Sequence, residues 1–133
     1  EAMSITLAEA EKVVAAGKAE AERMGLAVSI TVVDARGDFK AGARMDGVGW
    51  FTSDVSRAKA FASANFGVPS GDLTDRADIP VFRSLMVMQG GHLVLGQGAV
   101  PLTRGDQVAG AVGVSGATAQ QDEDIAKAAA KAV

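Results

Sequence analysis

His92 is the single histidine of the chain, and it is where most of the possible chemistry concentrates. A neutral imidazole can ligate a metal or heme iron, or pass a proton near neutral pH. His92 follows Gly90-Gly91, which frees the backbone to bring that ring close to a ligand. The plainer alternative is a surface or loop-packed histidine. There is no cysteine and no tyrosine, so disulfides, zinc–thiolate sites, iron–sulfur ligation and cysteine nucleophiles are excluded. A Ser-His-Asp triad can use only His92 as its base.

A second candidate is Arg44-Met45-Asp46-Gly47. Arg44 can clamp a carboxylate through two donors, with Asp46 orienting it or serving as a base. An ion pair beside a turn aspartate is the structural alternative. In Ser56-Arg57-Ala58-Lys59, the two cations are two residues apart and diverge by about 200° around a helix. Lys59 borders the buried face. It either reaches a pocket as a point charge or lays its stem on apolar surface with its charge in water. Gly90-Gly91 and Gly96-Gln97-Gly98 match neither a Walker loop nor a dinucleotide fingerprint, and read as turns and close packing. Asp122, Glu123 and Asp124 are adjacent on a helix and point apart, which makes a poor metal site.

These residues need elements to hold them. Thr6-Leu7-Ala8-Glu9 has capping-box spacing, followed by a helical stripe at Leu7, Ala10, Val14, Gly17, Ala21 and Met24, with Gly25 as its stop. Gly17 inside that helix predicts close approach to a sheet. Val28 to Asp34 is rich in β-branched residues and predicts a strand, with a turn to a hairpin partner over Phe39 to Met45. A second helix is expected over Thr52 to Asn65, with Val55, Ala58 and Ala62 on its buried face, then a helical region of weaker signals to about Met88. Strands are expected at His92–Leu95, Ala99–Thr103 and Gln107–Ser115. The last has a nearly flat face, Ala109, Ala111, Gly113 and Ser115, that lets a helix pack unusually near. Thr118 to Gln121 is a second capping box, opening a helix with Ile125, Ala129 and Val133 on one face. Helices around hairpins predict an α+β fold, one domain over residues 1–133.

The 133 residues are 48% hydrophobic with a net charge of −3, enough apolar material for a core and far from the disordered regime. A pI near 5.1 argues against nucleic acid as partner. No window approaches the roughly 20 apolar residues of a membrane helix. Residues 1–4 show no basic stretch followed by an apolar run, so the expected location is cytoplasmic.

Several segments together resemble the GlcG/HbpS-like family of heme-binding and heme-degrading proteins, which includes the C-terminal domain of PduO-type proteins. They are Val32-Val33-Asp34-Ala35-Arg36-Gly37, Arg44-Met45-Asp46-Gly47, Ala58-Lys59-Ala60-Phe61-Ala62, Val100-Pro101-Leu102, Val108 to Gly116 and Gln121-Asp122-Glu123. Their order and spacing span most of the chain. The resemblance implies a profilin-like central antiparallel sheet of about five strands with helices on its faces, and homo-oligomers. Relatives commonly carry an apolar residue at the position of His92, glycine at that of Gln97, and, in heme-sensing members, a Glu-x-x-Glu motif that this chain lacks.

The leading expectation is a small-ligand-binding protein that takes heme through His92, with Arg44 or Lys59 pairing a propionate. A heme cavity would rest on Phe51, Phe61, Phe66, Phe82, Met45, Met86, Met88 and Trp50. An alternative is a cofactor-free isomerase or lyase acting on a small carboxylate metabolite. His92 would be its general acid/base, and Asp46 and Gln97 would orient the substrate. The third reading is a non-catalytic assembly partner.

Overall fold

The structure, a computed structural model, describes residues 4–133. Residues 1–3, part of the terminus read for a leader, lie outside the described residues. The elements are α1 (Leu7–Arg23), β1 (Ser29–Asp34), β2 (Phe39–Arg44), α2 (Phe51–Phe66), a 3-10 turn (Ser70–Arg76), α3 (Pro80–Met88), β3 (Ala99–Arg104), β4 (Gln107–Ser115) and α4 (Ala119–Ala130). The fold is α+β. Its sheet runs β2-β1-β4-β3 and every neighbouring pair is antiparallel. Helices α1 and α4 cover one face and α2 covers the other.

Local chemistry sets the helix ends. Thr6 and Glu9 form the reciprocal capping box of α1, and Thr118 and Gln121 that of α4. Gly67 closes α2 at φ +71°, a conformation other residues resist. Three stripe positions behave differently from expectation. Leu7 is half exposed in the first turn of α1, while Val13 is fully buried. Val133 is exposed because α4 ends at Ala130. On α2, Val55 is only half buried, while Ala58 and Ala62 are buried as expected, together with Ser56, Ala60 and Ser63.

The two faces of the sheet pack differently. On the α1/α4 face, Ile30, Val32, Val112 and Val114 meet Val13, Ile125 and Ala129 in an apolar core. On the α2 face the side chains are small: Ala60 and Ala64 meet Val33 and Ala111. A Cβ on Gly113 would lie 2.1 Å from the Ser56 carbonyl, so the flat face of β4 admits α2 to backbone contact. Two buried hydroxyl pairs tie β1 to the same helix, Ser29–Thr52 at 2.8 Å and Thr31–Ser56 at 2.7 Å.

The sheet has four strands where about five were expected. The missing one is His92–Leu95. That segment has no regular secondary structure and lies against α2 rather than beside a strand: the Val94 N–H donates to the Ala58 carbonyl at 3.3 Å. Leu93 and Leu95 insert beside Ala62 and Leu73 in a separate apolar cluster. Alternating burial against a helix produces the same sequence pattern as alternating burial in a sheet. No helix of the described residues is long and apolar enough to cross a membrane.

Candidate functional site

The outward face of α2 carries Ser53, Arg57 and Phe61 one turn apart, and this face forms the floor of three adjoining clefts. The central cleft, about 140 Å³, brings together Gly37 and Asp38 from the β1–β2 turn, Arg57 and Phe61 from α2, and Gln89 and His92 from the end of α3. Phe61 and Gln89 continue into an apolar cleft of about 250 Å³ with Phe66, Leu85 and Leu93. In the other direction Arg57 continues into a groove of about 270 Å³ between α2 and β2, lined also by Thr31, Phe39, Arg44, Ser53 and Asp54.

The placement of His92 follows from the two glycines before it. Gly90 and Gly91 take φ values of +64° and +79°, and their N–H groups close onto Val87 and Met86 at the end of α3. The chain reverses there, and the His92 N–H donates to the Gln89 carbonyl at 3.2 Å. The imidazole is exposed and, among the described residues, makes no side-chain hydrogen bond. The opposite wall is the β1–β2 turn, packed flush on α2. A Cβ on Gly37 would lie 2.6 Å from Phe61 and Asn65, and Asn65 Nδ2 donates to the Arg36 carbonyl at 3.2 Å. The Arg57 guanidinium stands 5.6 Å from the Phe39 ring centroid and has no carboxylate partner among the described residues.

Lys59, two residues along α2, points the other way and is 7% exposed. Its Nζ donates to the Val114 carbonyl at 3.0 Å and stands 3.4 Å from Asp122 Oδ2 on α4. Asp122 Oδ1 accepts from the Ala117 N–H at 3.0 Å. Burial pushes the Lys59 ammonium below its usual range, opposed by Asp122. Burial likewise pushes the Asp122 carboxyl up, opposed by the Ala117 N–H and by Lys59. Gly98, at φ +142°, makes room for the ammonium, since a Cβ there would lie 2.6 Å from Nζ. Lys59 is thus an internal tie between α2 and α4 and does not face the clefts.

The remaining candidates are dispersed. Arg44 Nη1 donates to the Val48 carbonyl at 2.8 Å, and Arg44 sits at the far end of the α2–β2 groove from His92. Asp46 borders a different depression, with Lys18 and Glu22 of α1. Gln97 Nε2 donates to Gln120 Oε1 and Glu123 Oε1, both at 3.2 Å, near the Lys59 end of the molecule. Trp50 and Phe51 stack edge-on at 5.9 Å at the start of α2, with Trp50 78% exposed. The carboxylate that shares the His92 cleft is Asp38, not Asp46. Among the described residues no group of three or more His, Cys, Asp or Glu can hold a metal ion.

Sequence reasoning passed over Arg57 and Gln89. The spacing of Ser53, Arg57 and Phe61 marks one helical face, which was the available signal for Arg57. Gln89 and Asp38 come from elements far apart in the chain, and no local pattern places them together.

A model of the family described as "Haem degrading protein HbpS-like" matches residues 5–131. An uncharacterised 15.0 kDa protein of Citrobacter freundii is 32% identical over 127 residues, covering 95% of this chain and 89% of that protein. The crystal structure of Klebsiella pneumoniae ORFY superposes with a TM-score of 0.88 at 31% identity, covering 98% of this chain and 90% of that one. The crystal structure of a PduOC–heme complex superposes with a TM-score of 0.86 at 24% identity, covering 98% and 95%, and so shares the fold.

Proposed function

The chain belongs to the HbpS-like family, and on that premise we propose that it binds heme in the groove along α2, with His92 as the residue that would hold the iron. The observation that carries the reading is an imidazole at the junction between an apolar cleft and a guanidinium, neither with a side-chain hydrogen-bond or carboxylate partner among the described residues. Heme presents the matching sequence of properties: a flat apolar body, a central iron and carboxylates at one edge. The donor set therefore fits the group. The three clefts together lie within the few hundred to a thousand Å³ of small-molecule sites, whereas the His92 cleft alone falls below it. A bound heme supplies an iron centre able to take up ligands and electrons.

The chain's own residues divide the work. Phe61, Phe66, Leu85 and Leu93 exclude water from one end of the groove. His92 would offer a ring nitrogen to the iron. Arg57 takes the carboxylate-pairing role that Arg44 and Lys59 were expected to fill. It is nearer the imidazole than Arg44, which holds the Val48 carbonyl, and it is free of the internal pairing that occupies Lys59. A protein of the same fold solved as a heme complex supports the reading.

Heme titration followed by absorbance tests the reading. The expected result is a saturable Soret band whose position shifts in His92→Ala, with an unchanged far-UV circular dichroism spectrum. Saturable binding with an identical spectrum in His92→Ala, or no saturable binding at all, overturns it.

A further inference from the structure

Arg23, Arg83 and Arg104 each pair with a carboxylate, on Glu20, Asp78 and Glu9 respectively. Arg44 and Arg57 are held instead by groups that carry no charge. Arg44 Nη1 donates to the Val48 carbonyl at 2.8 Å, and the Arg57 guanidinium stands 5.6 Å from the Phe39 ring centroid. Neither has a carboxylate partner among the described residues. Both line the groove of about 270 Å³ between α2 and β2, Arg57 on its helix wall and Arg44 on its strand wall. Gly42 keeps the strand wall low, since a Cβ there would stand 3.2 Å from the Phe39 ring that seats Arg57. The groove also holds one carboxylate, Asp54, three residues before Arg57 on the same face of α2. Asp54 has no hydrogen bond or ion pair among the described residues. On the floor, Ser56 spends its hydroxyl proton on the Ser53 carbonyl at 2.9 Å, so Thr31 donates to Ser56 and offers the groove only lone pairs.

We propose that the α2–β2 groove is a binding site for a small amino acid that carries two carboxylates. The groove presents two positive charges, one negative charge and a floor that only accepts hydrogen bonds. An amino dicarboxylate carries the mirror set: two carboxylates and one ammonium. Its α-ammonium and α-carboxylate share one carbon, and they match Asp54 and Arg57, neighbours on one helix face. A further ammonium proton reaches the Thr31 lone pairs. The second carboxylate crosses the groove to Arg44. Each guanidinium takes a carboxylate through two donors, and both are already held in place, so little ordering cost remains at binding. The volume lies just below that of drug-sized sites, which suits a ligand this small. Arg57 also borders the His92 cleft, so an amino acid here and a heme carboxylate on Arg57 exclude each other. The site does not rest on the heme reading and is tested on heme-free protein.

Amide chemical shifts of the full chain, followed during titration with L-glutamate, succinate or L-alanine, read both affinity and place. The expected result is saturable L-glutamate binding with its shifts centred on Thr31, Ser53 and Arg57. Succinate, which lacks the ammonium, and L-alanine, which lacks the second carboxylate, each bind roughly tenfold more weakly, one charge-assisted interaction being lost in each case. Two variants assign the contacts. Asp54→Asn weakens L-glutamate by roughly tenfold and leaves succinate no weaker, because succinate has no ammonium to lose. Arg44→Gln weakens L-glutamate to the level of L-alanine and leaves L-alanine unchanged. Absence of saturable L-glutamate binding overturns the proposal. So does equal affinity for L-glutamate and succinate, equal weakening of both by Asp54→Asn, or shifts centred away from the groove.

Discussion

Arg57 and Lys59 are two cations two residues apart on one helix, and they meet opposite fates. Lys59 points into the protein, where a carbonyl, a carboxylate and a side-chain-free glycine surround its ammonium. Arg57 points outward, stacks over Phe39 and lines two clefts without a carboxylate partner among the described residues. The buried charge is fully engaged and holds α2 to α4. The exposed charge is engaged with nothing that would compete with an anionic ligand. A charge's availability for function is therefore set by its partners rather than by its presence in a motif.

Exchanging the two roles by mutation separates them most sharply. Lys59→Met strands Asp122 as a buried, unpaired carboxylate and lowers stability by about 3–5 kcal/mol in denaturant melts. Lys59→Met with Asp122→Asn recovers most of that loss, because neither charge remains and the amide oxygen still accepts from Ala117. Without Lys59, the raised Asp122 carboxyl favours the protonated form in the fold. Its stability is then best below the ordinary aspartate range and falls as pH rises through the folded value, so the single variant's deficit is largest at neutral pH.

A milder intrusion at the same place has a smaller effect. Gly98→Ala puts a methyl 2.6 Å from Nζ and 2.7 Å from the Val114 carbonyl, at φ +142°. The expected loss is about 1–3 kcal/mol, read by thermal melts. On the outer face, Arg57→Gln leaves stability within about 0.5 kcal/mol and weakens heme binding by roughly tenfold, one charge-assisted hydrogen bond. Heme dimethyl ester, which lacks the carboxylates, should bind the two forms equally. Equal loss with both ligands would remove the distinction between the faces.

The smallest effect belongs to an ion pair that is neither buried nor open. Glu9 is held down to about 2, first by its hydrogen bonds to Arg104 and then by the Thr6 N–H. A depressed carboxyl stabilises the fold above its ordinary value and loses that contribution as pH falls toward 2. The melting temperature of Glu9→Gln should therefore lie slightly below wild type at pH 6, and the gap should close between pH 4 and 2.

Legibility in the sequence followed the range of the interactions. Both capping boxes, the β1–β2 hairpin and the flat face of β4 were legible because each is written within a few residues. The family resemblance fixed the order of elements in the same way. The fifth strand failed because Leu93 and Leu95 alternate against α2, which looks identical to alternation in a sheet. The Lys59 tie was out of reach because its partner is 63 residues away and its room comes from a glycine read as a turn. The candidate site was half legible. His92 stood out by its uniqueness, but its neighbours Asp38, Arg57 and Gln89 arrive from three separate elements.

The hollow at Gly98 also constrains how this protein can change over generations. A side chain at position 98 meets the Lys59 ammonium, the Val114 carbonyl and a φ of +142° together, so losing the lysine alone does not release the glycine. Losing Lys59 strands Asp122, and losing Asp122 leaves Lys59 buried without its carboxylate, so the two charges change with least cost together. Positions 59, 98 and 122, distant in the chain, are thus coupled in substitution. Relatives that depart at Lys59 are expected to depart at Asp122 as well.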